Sequence, residues 1–461
     1  MTMQHDCRGL ELTTESRTAA GAFDDAVHHF LEYRADTAAM IDRALVADPA
    51  FLMPRILRAG AMLLMGTNSV RPAIDAELAA IGALETPRNE RERLHERALL
   101  SWATGDLRRA SRHWETIITR WPHDILALRS LHFQNFWMGA APYMRQVVGA
   151  VIPRWTEDMP GYGFVLGMLA FGLEECGRYR QAERCGREAV ERNDDDMWSI
   201  HAVAHVLEMQ GRTAEGSRWL DHPQDRWADR GPFKAHLWWH RALFAVERES
   251  FDEALALYDA HVRPGERFVS TDMMNAPTLL ARLEFQGVDV GDRWEGLAER
   301  STAWVEDHVI AFTDAHTMMP LARTGRAAEA EAYLESLERL SHVPDCYAAE
   351  VTGPYILPLA RAIHAFYGGD HRGCVDLLMP LRAALQPIGG SHAQRDVFHQ
   401  LLLEAAMRAG DWPVARLLAE ERIALRADNP LNWTKLAVIL DRTGETAAAE
   451  AARGRAAMRP D

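Results

Sequence analysis

The run NWTKLAVILDRTGETAAAEAARGRAAMRP, Asn432 to Pro460, decides the fold. Trp433, Leu436, Ala437 and Leu440 share one face of a helix that turns about 100° per residue. Gly444 stands where that helix must stop, because glycine enters the left-handed conformation without a Cβ clash. Ala449, five residues on, is small enough to let a second helix lie close against the first. The reading is a helical hairpin of the kind that stacks.

Working outward from this unit, the same frame recurs with turn glycines at Gly105, Gly139, Gly177, Gly211, Gly287, Gly325, Gly369, Gly410 and Gly444, and with Glu249 in place of one glycine. Their spacings are 34, 38, 34, 38, 38, 38, 44, 41 and 34 residues, so a 34-residue unit with small insertions accounts for all of them. Five places after the turns come Ala110, Ala182, Gly216, Ala254, Ala330, Cys374, Ala415 and Ala449. The period and the Trp/Leu/small/turn order match the tetratricopeptide pattern. One such hairpin cannot bury its apolar stripe alone, so neighbours must stack into a superhelix. No alternating strand pattern is present, and the expected class is all-α: helical hairpins stacked into a curled α-solenoid. The chain divides only weakly, into a less regular helical part at 1–100, central repeats at 101–345 and C-terminal repeats at 346–461. Proline-containing connections at 151–161, 221–233, 262–277 and 343–358 read as insertions between units.

The 461 residues suffice for a large core, and 48% hydrophobic with 25% charged residues excludes collagen, coiled coil and wholesale disorder. A net charge of -15 repels nucleic acid and anionic membrane, so neither is an expected partner. The opening MTMQHDCRGLELTT shows neither a secretory signal nor a lipidation pattern, and no apolar run is long enough to span a bilayer. Five cysteines without a C-x-x-C pair fit free thiols in a reducing cytoplasm.

Candidate functional residues come from the repeat frame. Positions 4, 7, 8 and 11 of the first helix pack on the second, which turns positions 5, 9 and 12 toward the concave side. In the Gly211 unit these positions are His201, His205 and Glu208, and in the unit before it Glu174 occupies position 12, with Glu175 beside it. Imidazoles and carboxylates gathered in a groove shift one another's pKa and suit ligand binding, acid/base work or a metal. The order H-A-V-A-H-V-L-E is not the zincin H-E-x-x-H, and a purely structural role for a buried polar pair fits the spacing too. The reading adopted assigns no metal and no cofactor.

A second polar group is GGSHAQRD, 389–396, where Ser391 is a good N-cap, His392 and Asp396 lie one turn apart, and Arg395 could receive an anionic group. Phe133, Phe136 and Trp137 fall on the groove side, with His132 and Gln134 among them; Trp239-His240 and Ala315-His316 recur at positions 5 and 6. An apolar groove with a few converging polar groups suits a small organic ligand or a short peptide. Phosphate-binding loops, dinucleotide fingerprints, nucleophile elbows and kinase signatures are missing.

The blocks DDDMWSIHAVAHVLEMQGRTAEGSRWL, AFGLEECGRYRQAE, WWHRALF, RLEFQGVDVGDRW and IGGSHAQRD resemble the tetratricopeptide repeat protein 38 family, over about Phe23 to Arg459. The likeness is looser in the first hundred residues. It implies an α-helical repeat fold and assigns no catalytic residue. By similarity Glu174, His201, His205, Glu208, Trp239, His240, His316, His392, Gln394, Arg395 and Asp396 fall in the motif blocks. Three functions are consistent with this reading. The first is binding of a small molecule or peptide through the His/Glu face. The second is hydrolase-like acid/base or metal-assisted catalysis on His201, His205 and Glu208. The third is a scaffold for a protein partner. A shared pocket requires the superhelix to curl until GGSHAQRD faces the His201 helix.

Overall fold

The computed structural model describes residues 3–222, 225–265 and 268–458, so Arg459 and Pro460 of the last repeat lie outside the described residues. The chain is an all-α helical-repeat protein. It begins with α1 (Arg17–Leu31), α2 (Thr37–Ala47), α3 (Leu52–Leu63) and α4 (Arg71–Gly82). Then α5 (Glu90–Ala103) and α6 (Leu107–Arg120) flank Gly105, and α7 (Ile125–Trp137) and α8 (Ala141–Val151) flank Gly139. Gly177 separates α9 (Tyr162–Glu174) from α10 (Tyr179–Arg192), and Gly211 separates α11 (Met197–Met209) from α12 (Thr213–Trp219). Glu249 lies between α13 (Phe233–Glu247) and α14 (Phe251–Leu257), and Gly287 between α15 (Ser270–Glu284) and α16 (Arg293–Thr302). Next come α17 (Ala311–Arg323) and α18 (Ala327–Leu340), then α19 (Tyr347–Val351), which continues through a π turn at Thr352–Ile356 into α20 (Leu357–Tyr367). The chain ends with α21 (His371–Leu378), α22 (His392–Arg408), α23 (Trp412–Leu425), α24 (Pro430–Arg442) and α25 (Thr446–Ala457).

All nine turn glycines have positive φ, and Glu249 shares that left-handed conformation with φ 60. The turn frame, rather than the glycine itself, is therefore what repeats. Two sequence expectations about the connections need correction. Pro277 does not end a linker but lies inside α15, and much of 343–358 is helix, because π and α turns absorb the prolines. A strand pair absent from the sequence reading also exists: Gln4–His5 pairs antiparallel with Glu11–Leu12, too short to show an alternating pattern.

First and second helices of the units differ in how they are buried. Every residue of α11 from Met197 to Glu208 is buried, whereas α10 buries only Ala182, Gly186 and Ala189. Those three small residues sit on one face and let α10 approach α11; a Cβ added to Gly186 would meet Val203 Cγ2 at 2.6 Å. Two hydrophobic clusters meet on α11, which gives Trp198 and Ala202 to the N-terminal one and Ile200, Val203, Ala204 and Leu207 to the C-terminal one. The third face of α11 carries the histidines.

Curling brings distant units together through polar contacts. Arg282 of α15 donates to the Ala393 carbonyl at 2.8 Å, the His392 amide to Glu175 at 3.1 Å, and Arg426 to the Glu208 carbonyl at 2.7 Å. Tyr347 donates its hydroxyl toward the carbonyls of Met138, at 3.0 Å, and Pro387, at 2.8 Å. Gly139 and Gly389 make a backbone-to-backbone crossing possible: a Cβ on either would lie 1.9 Å from the Gln386 oxygen or 2.4 Å from the Trp137 oxygen. This crossing sets the start of α22 over the inner ends of α7, α9 and α11. The concave face expected to line an open groove is consequently buried.

Candidate functional site

Four buried imidazoles from two adjacent inner helices form the centre of the site. His201 and His205 come from α11, and His236 and His240 from α13. His201 Nε2 lies 2.9 Å from His205 Nε2 and 3.1 Å from His236 Nε2, and one nitrogen from each of the four rings falls within 4.8 Å of the others. Their outer nitrogens face oxygens: His236 Nδ1 meets Asn275 Oδ1 of α15 at 2.9 Å, His240 Nδ1 meets Glu208 at 2.9 Å, and His205 Nδ1 stands 3.5 Å from Glu174. Burial, helped by the neighbouring rings, pushes His201, His205 and His236 well below the ordinary imidazole range, so they are neutral at physiological pH.

Beside them, Glu174 of α9 accepts a 2.5 Å hydrogen bond from His392 Nε2, and Glu175 lies 3.6 Å from the same nitrogen. Burial raises the Glu174 carboxyl to about 7 against the pull of His392. Burial acts to lower His392, but the two carboxylates outweigh it and bring that imidazole to about 9. A half-buried His392–Glu174 pair therefore joins α9 to the N-terminus of α22, and the GGSHAQRD segment does face the histidine helices.

The remaining sequence-derived residues divide between contact with this cluster and other roles. Trp239 is buried with its ring stacked on His236, centroids 5.2 Å apart, and Nε1 donates to Thr278 Oγ1 at 3.2 Å. Gln394 closes the capping box of α22 on Ser391 and also reaches an apolar cavity beside His201. Arg395 is no free anion anchor: its guanidinium donates to the carbonyls of Gly389 and Gly390 and lies 3.8 Å from Glu175. Asp396 does not pair with His392. It binds Arg422 at 2.5 Å, and burial, which would raise its carboxyl, is overcome by Arg422 and Arg282, which hold it well below the usual range. His316 stands apart between Phe312 and Phe398, its Nδ1 donating to the Phe312 carbonyl at 2.7 Å.

His236, Asn275 and Arg129 were missed in the sequence. His236 holds position 2 of its unit, and position 2 lies about 20° around the helix from position 9, so the period could have revealed it. Arg129 holds position 5 of the Gly139 unit, a groove-side position, so the frame could have revealed it too, whereas Asn275 at position 3 of its unit had no such signal.

A cavity of about 260 Å³ opens next to His201 and His236. Its walls include the rings of Tyr33, Phe133, Phe136, Trp137, Trp198 and Phe233. Arg129 of α7 also faces it, 3% exposed, with its guanidinium 4.3 Å from the Phe133 centroid and 4.5 Å from the Trp198 centroid. Arg129 donates to the Tyr33 hydroxyl, yet among the described residues no carboxylate forms an ion pair with it, and Asp196 is felt only at longer range. One water fills roughly 10–15 Å³ on this measure, so the space is far larger than a packing defect.

No family model matches the chain. Among solved structures, a chain in the structure of Naa15/Naa10 bound to HypK-THB is similar over 95% of this chain at 14% identity, with a TM-score of 0.26. The alignment covers 63% of that chain, so this protein spans under two thirds of its length. No helix of the described residues is long and apolar enough to cross a membrane.

Proposed function

We propose that this protein is a member of the tetratricopeptide repeat protein 38 family and binds a small organic anion with an apolar body in the cavity between α1, α7, α11 and α13. One observation carries this reading: a buried guanidinium, without a carboxylate to pair with, faces a ring-lined space of about 260 Å³. Burying an uncompensated charge is costly, and a bound carboxylate would neutralise it while its body covers the aromatic wall. His201, His236 and Gln394 add polar groups at the wall. The whole chain acts as a single α-solenoid in this reading, and the five cysteines, none in a disulfide, fit a cytoplasmic setting. A second reading, acid/base catalysis on the bound molecule, is favoured by the Glu174–His392 pair lying directly behind the His205 ring.

Thermal-shift and calorimetric titration of the purified chain with aromatic and aliphatic carboxylates, each beside its uncharged amide, tests the proposal. Carboxylates should bind and amides should not. Arg129→Met, which keeps the packing stem, should weaken binding by about 10- to 150-fold, the equivalent of one charged hydrogen bond of about 1.5–3 kcal/mol. Thr271→Phe, filling the cavity from α15, should block it. Equal affinity for acid and amide would refute the anion reading, and unimpaired binding to Thr271→Phe would refute the cavity.

A further inference from the structure

The four-histidine centre poses a hydrogen-bonding problem that protein groups do not solve. Each neutral imidazole has one N–H and one lone pair. His236 Nδ1 faces the Asn275 oxygen and His240 Nδ1 faces the Glu208 carboxylate, so the proton of each ring sits on Nδ1. His205 Nδ1 stands 3.5 Å from Glu174 without a hydrogen bond. The Nε2 atoms of His236 and His240 are thereby left as bare lone pairs. His201 Nε2 is the near neighbour of His205 Nε2 and His236 Nε2 and has at most one proton to offer. His240 Nε2 is fully buried and has no hydrogen-bond partner among the described residues. Several lone pairs converge among buried rings.

We infer that His201, His205, His236 and His240 form a binding site for a divalent first-row transition metal ion, with Zn²⁺ as the reference occupant. The ligand type suits it, because imidazole nitrogen is the common donor for zinc, iron, nickel and copper. The geometry is close to what is needed: a tetrahedral ion with bonds of about 2.0–2.1 Å has edges of about 3.3 Å. Two of the nitrogen separations are 2.9 and 3.1 Å, and all lie within 4.8 Å, so shifts of a few tenths of an ångström to about an ångström would complete the shell. The surroundings are those of a metal centre. The Asn275 amide and the Glu208 carboxylate hold the far nitrogens of His236 and His240, fixing tautomer and orientation, and Glu174 stands 3.5 Å from that of His205. The Glu208 carboxylate stands 2.9 Å from His240 Nδ1, and all four rings are buried.

A second set, Glu174, Glu175, His205 and His392, also has donor atoms close together. There the 2.5 Å hydrogen bond between His392 and Glu174 already uses the lone pairs, so the first set is the assigned site. The sequence reading assigned no metal: it named His240 without placing it against His201 and His205 and did not name His236, and α13 supplies both. The site goes beyond the anion-binding reading and does not depend on it, although His201 and His236 line the same cavity and give the ion a way in.

The test uses the full chain without a histidine tag, stripped with a chelator and then given Zn²⁺ or Co²⁺ alone. One equivalent per chain should survive gel filtration, and the Co²⁺ form should show the intense visible bands of a tetrahedral nitrogen site. His201→Gln and His236→Gln should each lose the ion, while His316→Gln, a buried histidine outside the set, should retain it. X-ray absorption on the Zn²⁺-loaded wild type gives a measurement independent of whether the variants fold, and should show an imidazole shell at about 2.0–2.1 Å. Failure to retain metal, a shell of oxygen or sulfur, or equal loss in His316→Gln with the fold intact would each overturn the assignment.

Discussion

Replacing Arg426 with Met tests how the superhelix is held closed. Arg426 precedes α24, and its guanidinium donates to the Glu208 carbonyl at 2.7 Å and to Glu247 of α13 at 2.5 Å. Both partners lie about 180 to 220 residues earlier in the chain, with separations of 218 and 179. Methionine keeps the apolar stem and removes the charge. Two charged hydrogen bonds at about 1.5–3 kcal/mol each, or one broken buried ion pair, give about 3–5 kcal/mol. Glu247 limits the loss, because burial already holds its carboxyl at about 7 despite Arg426, and it takes up a proton when the arginine is gone. The expected cost is therefore near the lower bound, about 3 kcal/mol. Hydrogen exchange is the suitable assay, since the end repeats can open without global unfolding. Slowly exchanging amides of α24 should lose protection by about 150-fold, the equivalent of about 3 kcal/mol, and Glu247→Gln in the same background should add little. A fall of less than about fivefold, or a coupling between the two positions below about 0.5 kcal/mol, would refute a closure carried by this pair.

Two further outcomes follow from the geometry. Gly139→Ala should destabilise much more than Gly177→Ala: both have positive φ, but the added methyl meets the Gln386 oxygen at 1.9 Å in the first and nothing within 4 Å in the second. Thermal melts of the two variants should differ by more than about 1 kcal/mol, the left-handed penalty being common to both, and equal losses would rule out the crossing of Gly139 with 386–390. In the N-terminal repeats, burial would raise Asp124, but His95 and Arg91, at 2.9 and 2.7 Å, hold it below the usual carboxylate range. A depressed folded pKa contributes stability above the unfolded value that is lost as pH falls, so the urea midpoint of the wild type should drop more steeply below about pH 4 than that of Asp124→Asn. Parallel curves would contradict this.

The residues of a site are legible in sequence only where local periodicity forces them onto one face. His201, His205 and Glu208 meet that condition, and so do Arg129 at position 5 and His236 at position 2 of their units. His392 and Asp396 lie one turn apart with Arg395 beside them as an expected anion anchor, yet each turns to a different partner, Arg395 to the Gly389 and Gly390 carbonyls and Asp396 to Arg422. Asp396 lies only about 40° around the helix from His392, so a shared face did not decide what it touches; the Arg422 guanidinium on α23 did.

The sequence by itself determined the repeat: turn positions, unit length, the small residues between paired helices, and the polar ridge on α11. These follow from interactions among residues three to forty apart, which recur and so leave a period. Whether the ridge faced water or a closed interior was decided by contacts spanning more than a hundred residues, such as Arg282 with Ala393 and Arg426 with Glu208. Such contacts occur once each, leave no period, and depend on small rotations between units summed around the superhelix. Tertiary structure alone brought His236 and His240 against His201 and His205, and set Arg129 over the cavity beside them.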